Sequence, residues 1–220
     1  MHLQREIENL KKKLLQLSTI VEERVVRAVR SVEKKDEFMA ARVMEDDKSV
    51  DTIEIDVEEE CLKVLALHQP VAVDLRFIIA VLKINNDLER IGDLAVNIAE
   101  RSMVLAGRPA FTFSSNFIVM CDKATLMLKK CIDSFIGMDA LRAQEVCAAD
   151  EEVDALYREM YDKIKTGISQ DPEKLDEYMQ VLSISRHLER IADHATNIAE
   201  DVIYMIEGDI VRHRTDSYKK

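Results

Sequence analysis

The chain has very few residues that interrupt helices and no segment typical of secretion or membrane insertion. It contains 5 glycines, 3 prolines and no tryptophan among 220 residues. So few helix breakers favour long helices. No run of the chain approaches the roughly 18 consecutive apolar residues that a membrane span needs. Residues 1–16 are charged and lack the apolar core of a signal peptide. We therefore expect an all-α, cytoplasmic protein.

Several functional signatures are also absent. The formal net charge is −11, whereas a surface that binds nucleic acid is usually basic. The four cysteines form no Cys-x-x-Cys pair, and none neighbours a histidine at zinc-finger spacing. The sequence has neither the Glu-x-x-His pairs of di-iron carboxylate enzymes nor a glycine-rich phosphate loop or nucleophile–base motif. These absences predict a protein that is not an enzyme and does not bind nucleic acid.

The dominant positive feature is a 13-residue segment that occurs twice. Leu-Glu-Arg-Ile-Gly-Asp-Leu-Ala-Val-Asn-Ile-Ala-Glu at 88–100 returns at 188–200, with 10 of the 13 positions identical. In a helix, the oxygen-bearing side chains of this segment share one stripe, and its apolar residues lie on the other side. No Lys or Arg lies inside the stripe, although Arg90 and Arg101 flank it. The repeat indicates an internal duplication, and the stripe calls for a compensating cation.

Apolar periodicity and breakers divide the chain into six long helices. The expected helices cover about 3–35, 36–67, 73–106, 114–136, 139–169 and 172–207, and Asp36 is expected to cap the second of them. Short connections make sequential helices antiparallel neighbours. A tetratricopeptide array is excluded because its unit of about 34 residues holds two short helices. The predicted fold is therefore all-α, with two tandem antiparallel three-helix bundles related by internal duplication. The predicted domains are 1–107 and 108–208, followed by a polar tail at 209–220.

A second set of acidic pairs accompanies the repeated segment. The pairs are Asp47 and Asp51 in the first half and Asp150 and Asp154 in the second, at an offset of 103 residues. Glu54 extends the stripe of the first half, whereas Tyr157 occupies the matching position in the second, so the two sites need not be equal. Carboxylates from adjacent helices can meet over the groove between them and bind a cation through oxygen. A solvated acidic face without a metal is the alternative.

These features together resemble the PhoU family of bacterial phosphate-signalling regulators. The resemblance is carried by the Asp/Glu-x-x-x-Asp pairs, the duplicated segment and the loop His-Gln-Pro-Val-Ala-Val-Asp-Leu-Arg at 68–76, and it covers nearly the whole chain. It implies multinuclear metal clusters on the bundle surface, with iron foremost and manganese, magnesium and zinc as alternatives. The implied ligands are Asp47, Asp51, Glu89, Asp93 and the weaker candidate Asn97 in the first half, and Asp150, Asp154, Glu189, Asp193 and the weaker candidate Asn197 in the second.

The resemblance also implies a function. Such a protein would negatively regulate phosphate uptake and phosphate-starvation signalling by linking the ATPase subunit of a phosphate transporter (PstB-like) to a sensor histidine kinase (PhoR-like). It would act in the bacterial cytoplasm and reach the membrane only through these partners, and homodimerisation is left open. The alternatives are a metal-free acidic helical adaptor and an accessory protein of a low-affinity phosphate or metal transporter. No basic pocket is evident in the sequence that would favour direct binding of phosphate.

Overall fold

The structure, a computed structural model, consists of packed α-helices. It describes residues 2–45, 47–108 and 112–208, without the side chains of residues 2 and 47–49. The elements within those ranges are α1 (His2–Lys34), α2 (Glu37–Glu45), α3 (Asp47–His68), α4 (Ala72–Ala106), α5 (Ser115–Gly137), α6 (Ala140–Gln170), a 3-10 turn (Pro172–Lys174) and α7 (Leu175–Glu207). The described residues form no strand. The predicted tail at 209–220 lies outside the described residues.

The helix boundaries follow local sequence signals. The second predicted helix corresponds to α2 and α3, which flank Asp46, a residue outside the described ranges. Pro172 begins a 3-10 turn rather than α7 itself, which starts at Leu175. Gly208, with φ +81°, ends α7, and its N–H donates to the carbonyl oxygen of Tyr204. Glycine suits this left-handed position because it has no Cβ.

The duplication is visible in the turns that follow α1 and α5. Lys35 (φ 52°) and Met138 (φ 49°) adopt the left-handed conformation, at equivalent places in the two halves. Asp36 and Asp139 follow, and the Oδ1 atom of each accepts a hydrogen bond from the N–H three residues on, at 3.0 Å in both cases. Each aspartate therefore caps the next helix, as the sequence predicted for Asp36.

Equivalent apolar residues of the two repeats form the centres of the two bundles. Leu88, Ile91 and Ile98 in α4 and their counterparts Leu188, Ile191 and Ile198 in α7 are at most 1% exposed. Burying one such side chain contributes about 1.5–3 kcal/mol. α4 packs against α1, α2 and α3, and α7 packs against α5 and α6. Two three-helix bundles result, which confirms the predicted fold class; the domain boundaries at 107 and 208 stay a prediction.

The two bundles join along α4 and α7, with α1 against α5 beside them. Lys83 Nζ lies 3.2 Å from Asp201 Oδ1, and His194 Nδ1 lies 2.8 Å from Asp87 Oδ1. Residue numbers rise along α4 as they fall along α7, so the two helices are antiparallel and the halves are related by a pseudo-two-fold axis. None of the described helices carries a stretch apolar enough to span a lipid bilayer.

Candidate metal centre

Four carboxylates from α6 and α7 form what we term the second acidic cluster: Asp150, Asp154, Glu189 and Asp193. In each helix the two acidic residues are four positions apart, and this spacing places both on one helix face. The neighbouring Val153 and Leu188 are fully buried in the hydrophobic core. The backbone of the packed helices therefore fixes where the carboxylates stand.

Three members of the second acidic cluster lie close enough together to bind one cation. One carboxylate oxygen from each of Asp154, Glu189 and Asp193 lies within 4.8 Å of the other two. Oxygen ligands stand about 2.0–2.6 Å from a bound divalent cation, so two ligands of one ion are separated by at most about 4–5 Å. The donor set consists of oxygen, which suits hard cations and iron better than a thiolate-bound metal. These residues therefore fit a metal ion.

The charges of the second acidic cluster repel one another. Burial and the neighbouring Asp193 and Asp154 raise the pKa of Asp150 to about 6, although Thr196 opposes this because its Oγ1 donates to Asp150 Oδ1 at 3.2 Å. Burial, followed by Asp193 and Asp154, raises the pKa of Glu189. Burial and Asp154 likewise raise the pKa of Asp193. The ionised cluster is therefore destabilised, and a cation would relieve that repulsion.

A first acidic cluster lies at the equivalent place between α3 and α4 and consists of Asp51, Glu54, Glu89 and Asp93. Burial raises the pKa of Glu89, and the carboxylates of Asp93, Glu54 and Asp51 raise it further. Burial, Glu58 and Asp51 raise the pKa of Glu54. Asp47, also predicted as a ligand, has a side chain outside the described residues.

Arg90 distinguishes the first acidic cluster from the second. Its Nε lies 3.3 Å from Glu89 Oε2, and its Nη1 lies 3.4 Å from Asp93 Oδ2. The sequence placed Arg90 beside the stripe, but its long side chain folds back onto it. Among the described side chains, no ion pair of this kind joins Arg190, the equivalent arginine, to the second acidic cluster. Arg186 and Arg190 lower the pKa values of Glu189 and Asp193, respectively, without forming an ion pair among these described side chains. The first half therefore differs in having its arginine in direct contact with the carboxylates.

The structure adds two polar residues to the clusters that the sequence analysis did not select. Thr196 donates to Asp150, and Asn85 Nδ2 donates to Glu54 Oε1 at 3.2 Å. Thr196 lies three residues after Asp193, and Asn85 lies four before Glu89, so helical spacing could have identified both. The weaker candidates Asn97 and Asn197 are half-buried and form no hydrogen bond with a cluster carboxylate within the described ranges.

The fold and its clusters define a class of protein: a duplicated three-helix unit with one group of carboxylates in each half. The PhoU domain family model matches residues 14–102 and again residues 117–202. The chain is 38% identical over 214 residues to the phosphate-specific transport system accessory protein PhoU homolog of Aquifex aeolicus, and the match covers 97% of each protein.

Solved structures show the same similarity. The crystal structure of PhoU from Pseudomonas aeruginosa matches with a TM-score of 0.90 and 34% identity, over 94% of this chain and 99% of that one. The phosphate transport system regulatory protein PhoU from Streptococcus pneumoniae matches with a TM-score of 0.87 and 29% identity, over 95% of this chain and 99% of that one. The chain belongs to the PhoU family. This is a family of non-enzymatic accessory and regulatory proteins, which confirms the prediction that the chain is not an enzyme.

Proposed function

We propose that this protein is a metal-binding regulatory adaptor that restrains phosphate uptake and phosphate-starvation signalling in the bacterial cytoplasm. Its relatives carry the names of accessory and regulatory proteins of phosphate transport systems. The finer proposal is that it contacts the ATPase subunit of the transporter and a sensor histidine kinase, and thereby links one to the other. Such a role needs docking surfaces and no catalytic group.

The close approach of Asp154, Glu189 and Asp193 is the observation that supports metal binding. These three residues, with Asp150 beside them, would hold the ion, which we expect to be iron, with manganese, magnesium and zinc as alternatives. A bound cation supplies positive charge that offsets the repulsion among the carboxylates. Because the ligands come from both α6 and α7, the cluster couples the positions of these two helices.

The two halves differ in their need for a metal. Burial and repulsion raise carboxyl pKa values in both clusters, but among the described side chains only the first cluster has an arginine ion pair, that of Arg90 with Glu89 and Asp93. A cation therefore gains more favourable interaction in the second acidic cluster than in the first. We propose that the second half binds metal more tightly.

Metal content tests this proposal. The protein is purified without chelator or metal resin and compared with the Glu189→Gln/Asp193→Asn and Glu89→Gln/Asp93→Asn variants by elemental mass spectrometry. The Asp122→Asn/Asp162→Asn variant is the control, because it removes the same charge from two exposed residues outside the clusters. We expect the second-half variant to lose more metal than the first-half variant. If the parent protein contained no metal even after incubation with iron and manganese, the metal-free acidic adaptor would be the correct hypothesis.

A cellular test addresses the regulatory role separately. A bacterial strain that lacks its own family member is complemented with the parent or the cluster variants, and phosphate uptake and starvation-gene expression are measured at high phosphate. The parent should restore repression, and the second-half variant should restore it less well. Unchanged uptake and expression with the parent would contradict the proposed regulation, whatever its metal content.

A further inference from the structure

The seam between α4 and α7 is polar, but its charge is distributed unequally about the pseudo-two-fold axis. At one end, Lys83 pairs with Asp201, and Asp87 pairs with His194. The counterparts of Lys83, Asp87 and Asp201 at the other end are Ser183, His187 and Arg101, 100 residues away in each case. At the second end, His187 stands in place of Asp87 and Arg101 stands in place of Asp201. The second end therefore lacks the two carboxylates that pair with Lys83 and His194 at the first end.

Three of the five buried side-chain N or O atoms that lack a hydrogen-bond partner among the described residues belong to this second end, and the other two are on Arg76 and Asn85. Arg101 Nε, Gln180 Oε1 and His187 Nδ1 are buried and have no hydrogen-bond partner among the described residues. The other ring nitrogen of His187, Nε2, lies 3.3 Å from Ser183 Oγ. Gln180 lies one helical turn before Ser183 on the same side of α7. Buried polar atoms are normally hydrogen-bonded, so three unpartnered atoms on this part of α7 and the facing part of α4 favour a partner from outside the chain.

The surrounding charges favour an anion as that partner. The largest electrostatic influences on His187 from charged groups come from the guanidiniums of Arg101, Arg190 and Arg186. Glu177, an acidic residue one helical turn before Gln180, is itself paired with a cation, since its carboxylate lies 3.9 Å from Arg108 Nε. Arg186 and Arg190 also act on the carboxylates of Glu189 and Asp193, respectively, so Arg101 is the guanidinium of the three that would attract an anion at the seam.

We infer that Arg101, Gln180, Ser183 and His187 form a binding site for a small tetrahedral oxyanion at the α4–α7 seam. A guanidinium presents parallel N–H groups that match two oxygens of such an anion. His187 can donate from Nδ1 to a third oxygen, since its Nε2 faces the Ser183 hydroxyl. Gln180 Oε1 accepts, and hydrogen phosphate carries the O–H that can donate to it. The site therefore prefers hydrogen phosphate to sulfate, which has no such proton at neutral pH.

Isothermal titration calorimetry with inorganic phosphate tests the site. The 220-residue protein is first treated with chelator, so that phosphate cannot bind through a metal ion. The result is therefore independent of the proposed metal binding. The parent should show one saturable site that chloride does not fill, and sulfate should bind more weakly. Arg101→Gln should weaken phosphate binding by about tenfold or more, because it removes a charge-assisted pair of hydrogen bonds. Arg101→Lys should bind phosphate with intermediate affinity, since lysine keeps the positive charge but lacks the parallel N–H groups of the guanidinium.

Matched variants keep the test decisive. Arg158→Gln removes the same charge from an exposed position on α6 and should leave phosphate binding unchanged. Gln180→Met should reduce the preference for phosphate over sulfate, and it provides a second test should Arg101→Gln unfold, as judged by circular dichroism. The site is refuted by an absence of saturable binding, by equal binding to the parent and the Arg101→Gln variant, or by chloride that competes as well as phosphate.

Discussion

Lys83 and Asp201 form an ion pair across the seam between the two halves, with 3.2 Å between Nζ and Oδ1. Asp201 is 1% exposed, and Lys83 Nζ also lies 5.6 Å from the centroid of the Tyr204 ring, in the geometry of a cation–π contact. The pair joins residues 118 positions apart. It therefore helps to fix the register in which α7 packs on α4.

Replacement of Lys83 should destabilise the folded protein. Lys83→Met keeps most of the apolar stem but removes the cation from a buried carboxylate, and we expect a loss of about 1–3 kcal/mol in the free energy of unfolding. Urea denaturation of Lys83→Met, Asp201→Asn and the double variant gives the interaction energy. An interaction energy near zero would show that the pair does not stabilise the seam.

The Asp139 cap should contribute measurably to stability. Asp139→Ala removes the side-chain acceptor at the start of α6, and we expect a loss of about 1 kcal/mol in the free energy of unfolding. Asp139→Asn should retain most of the stability, since asparagine also caps. Asp122→Ala, an exposed change within α5, is the control. Equal denaturation midpoints for Asp139→Ala and the parent would contradict the capping role.

Two helical glycines should respond to alanine in opposite ways. A Cβ at Gly167 would lie 2.5 Å from Tyr178 Cζ, so Gly167→Ala displaces the tyrosine ring and should cost about 1–3 kcal/mol. At Gly92 the same Cβ meets Arg24 Nη1 and Val50 Cγ1 at 3.5 Å, an ordinary contact. Gly92→Ala should therefore stabilise the helix by up to about 1 kcal/mol. Thermal unfolding of both variants measures the contrast, and a stabilised Gly167→Ala would show that Tyr178 yields freely.

The pKa of Asp150 should make the stability of the metal-free protein depend on pH. The folded-state pKa is about 6 against an ordinary 3.8, so the folded state binds more protons than the unfolded state between these values. The Asp150 contribution to stability therefore falls as pH rises through this window. Asp150→Asn lacks this titration, and at pH 7.5 it should be more stable than the parent by about 1–2 kcal/mol, after solvent screening.

Urea denaturation of chelator-treated parent and Asp150→Asn at pH 4 and at pH 7.5 measures this effect. The difference in free energy of unfolding should shrink at pH 4, where Asp150 is protonated in the folded state. Asp162→Asn, an exposed change on the same helix, should show no comparable pH dependence. A difference between the parent and Asp150→Asn that is constant with pH would contradict a raised pKa.

Features encoded in local spacing could be predicted from the sequence. The repeated segment indicated that Glu89 and Asp93 share one helix face and that Glu189 and Asp193 share the equivalent face of another helix, and the family resemblance was confirmed. The Asp36 cap was likewise readable, since capping depends on a residue and the three that follow it. Local periodicity determines these features, and tertiary packing does not override them.

Features that depend on the length of a side chain or on the packing of distant helices could not be predicted from the sequence. Arg90 lies beside the acidic stripe in a helical projection, yet its side chain is long enough to fold onto Glu89 and Asp93. The approach of Arg101 to His187 depends on the register of two helices from different halves, which no local pattern specifies.

The unequal seam also governs which halves recognise each other. Arg101 is the counterpart of Asp201, so a symmetric pair of two first halves would place Lys83 of one copy against Arg101 of the other, with like charges facing. A pair of two second halves would instead set buried Asp201 against Ser183, without a cation. Only the mixed arrangement matches Lys83 with Asp201 and Asp87 with His194. The seam charges therefore favour pairing of a first half with a second half over pairing of two like halves.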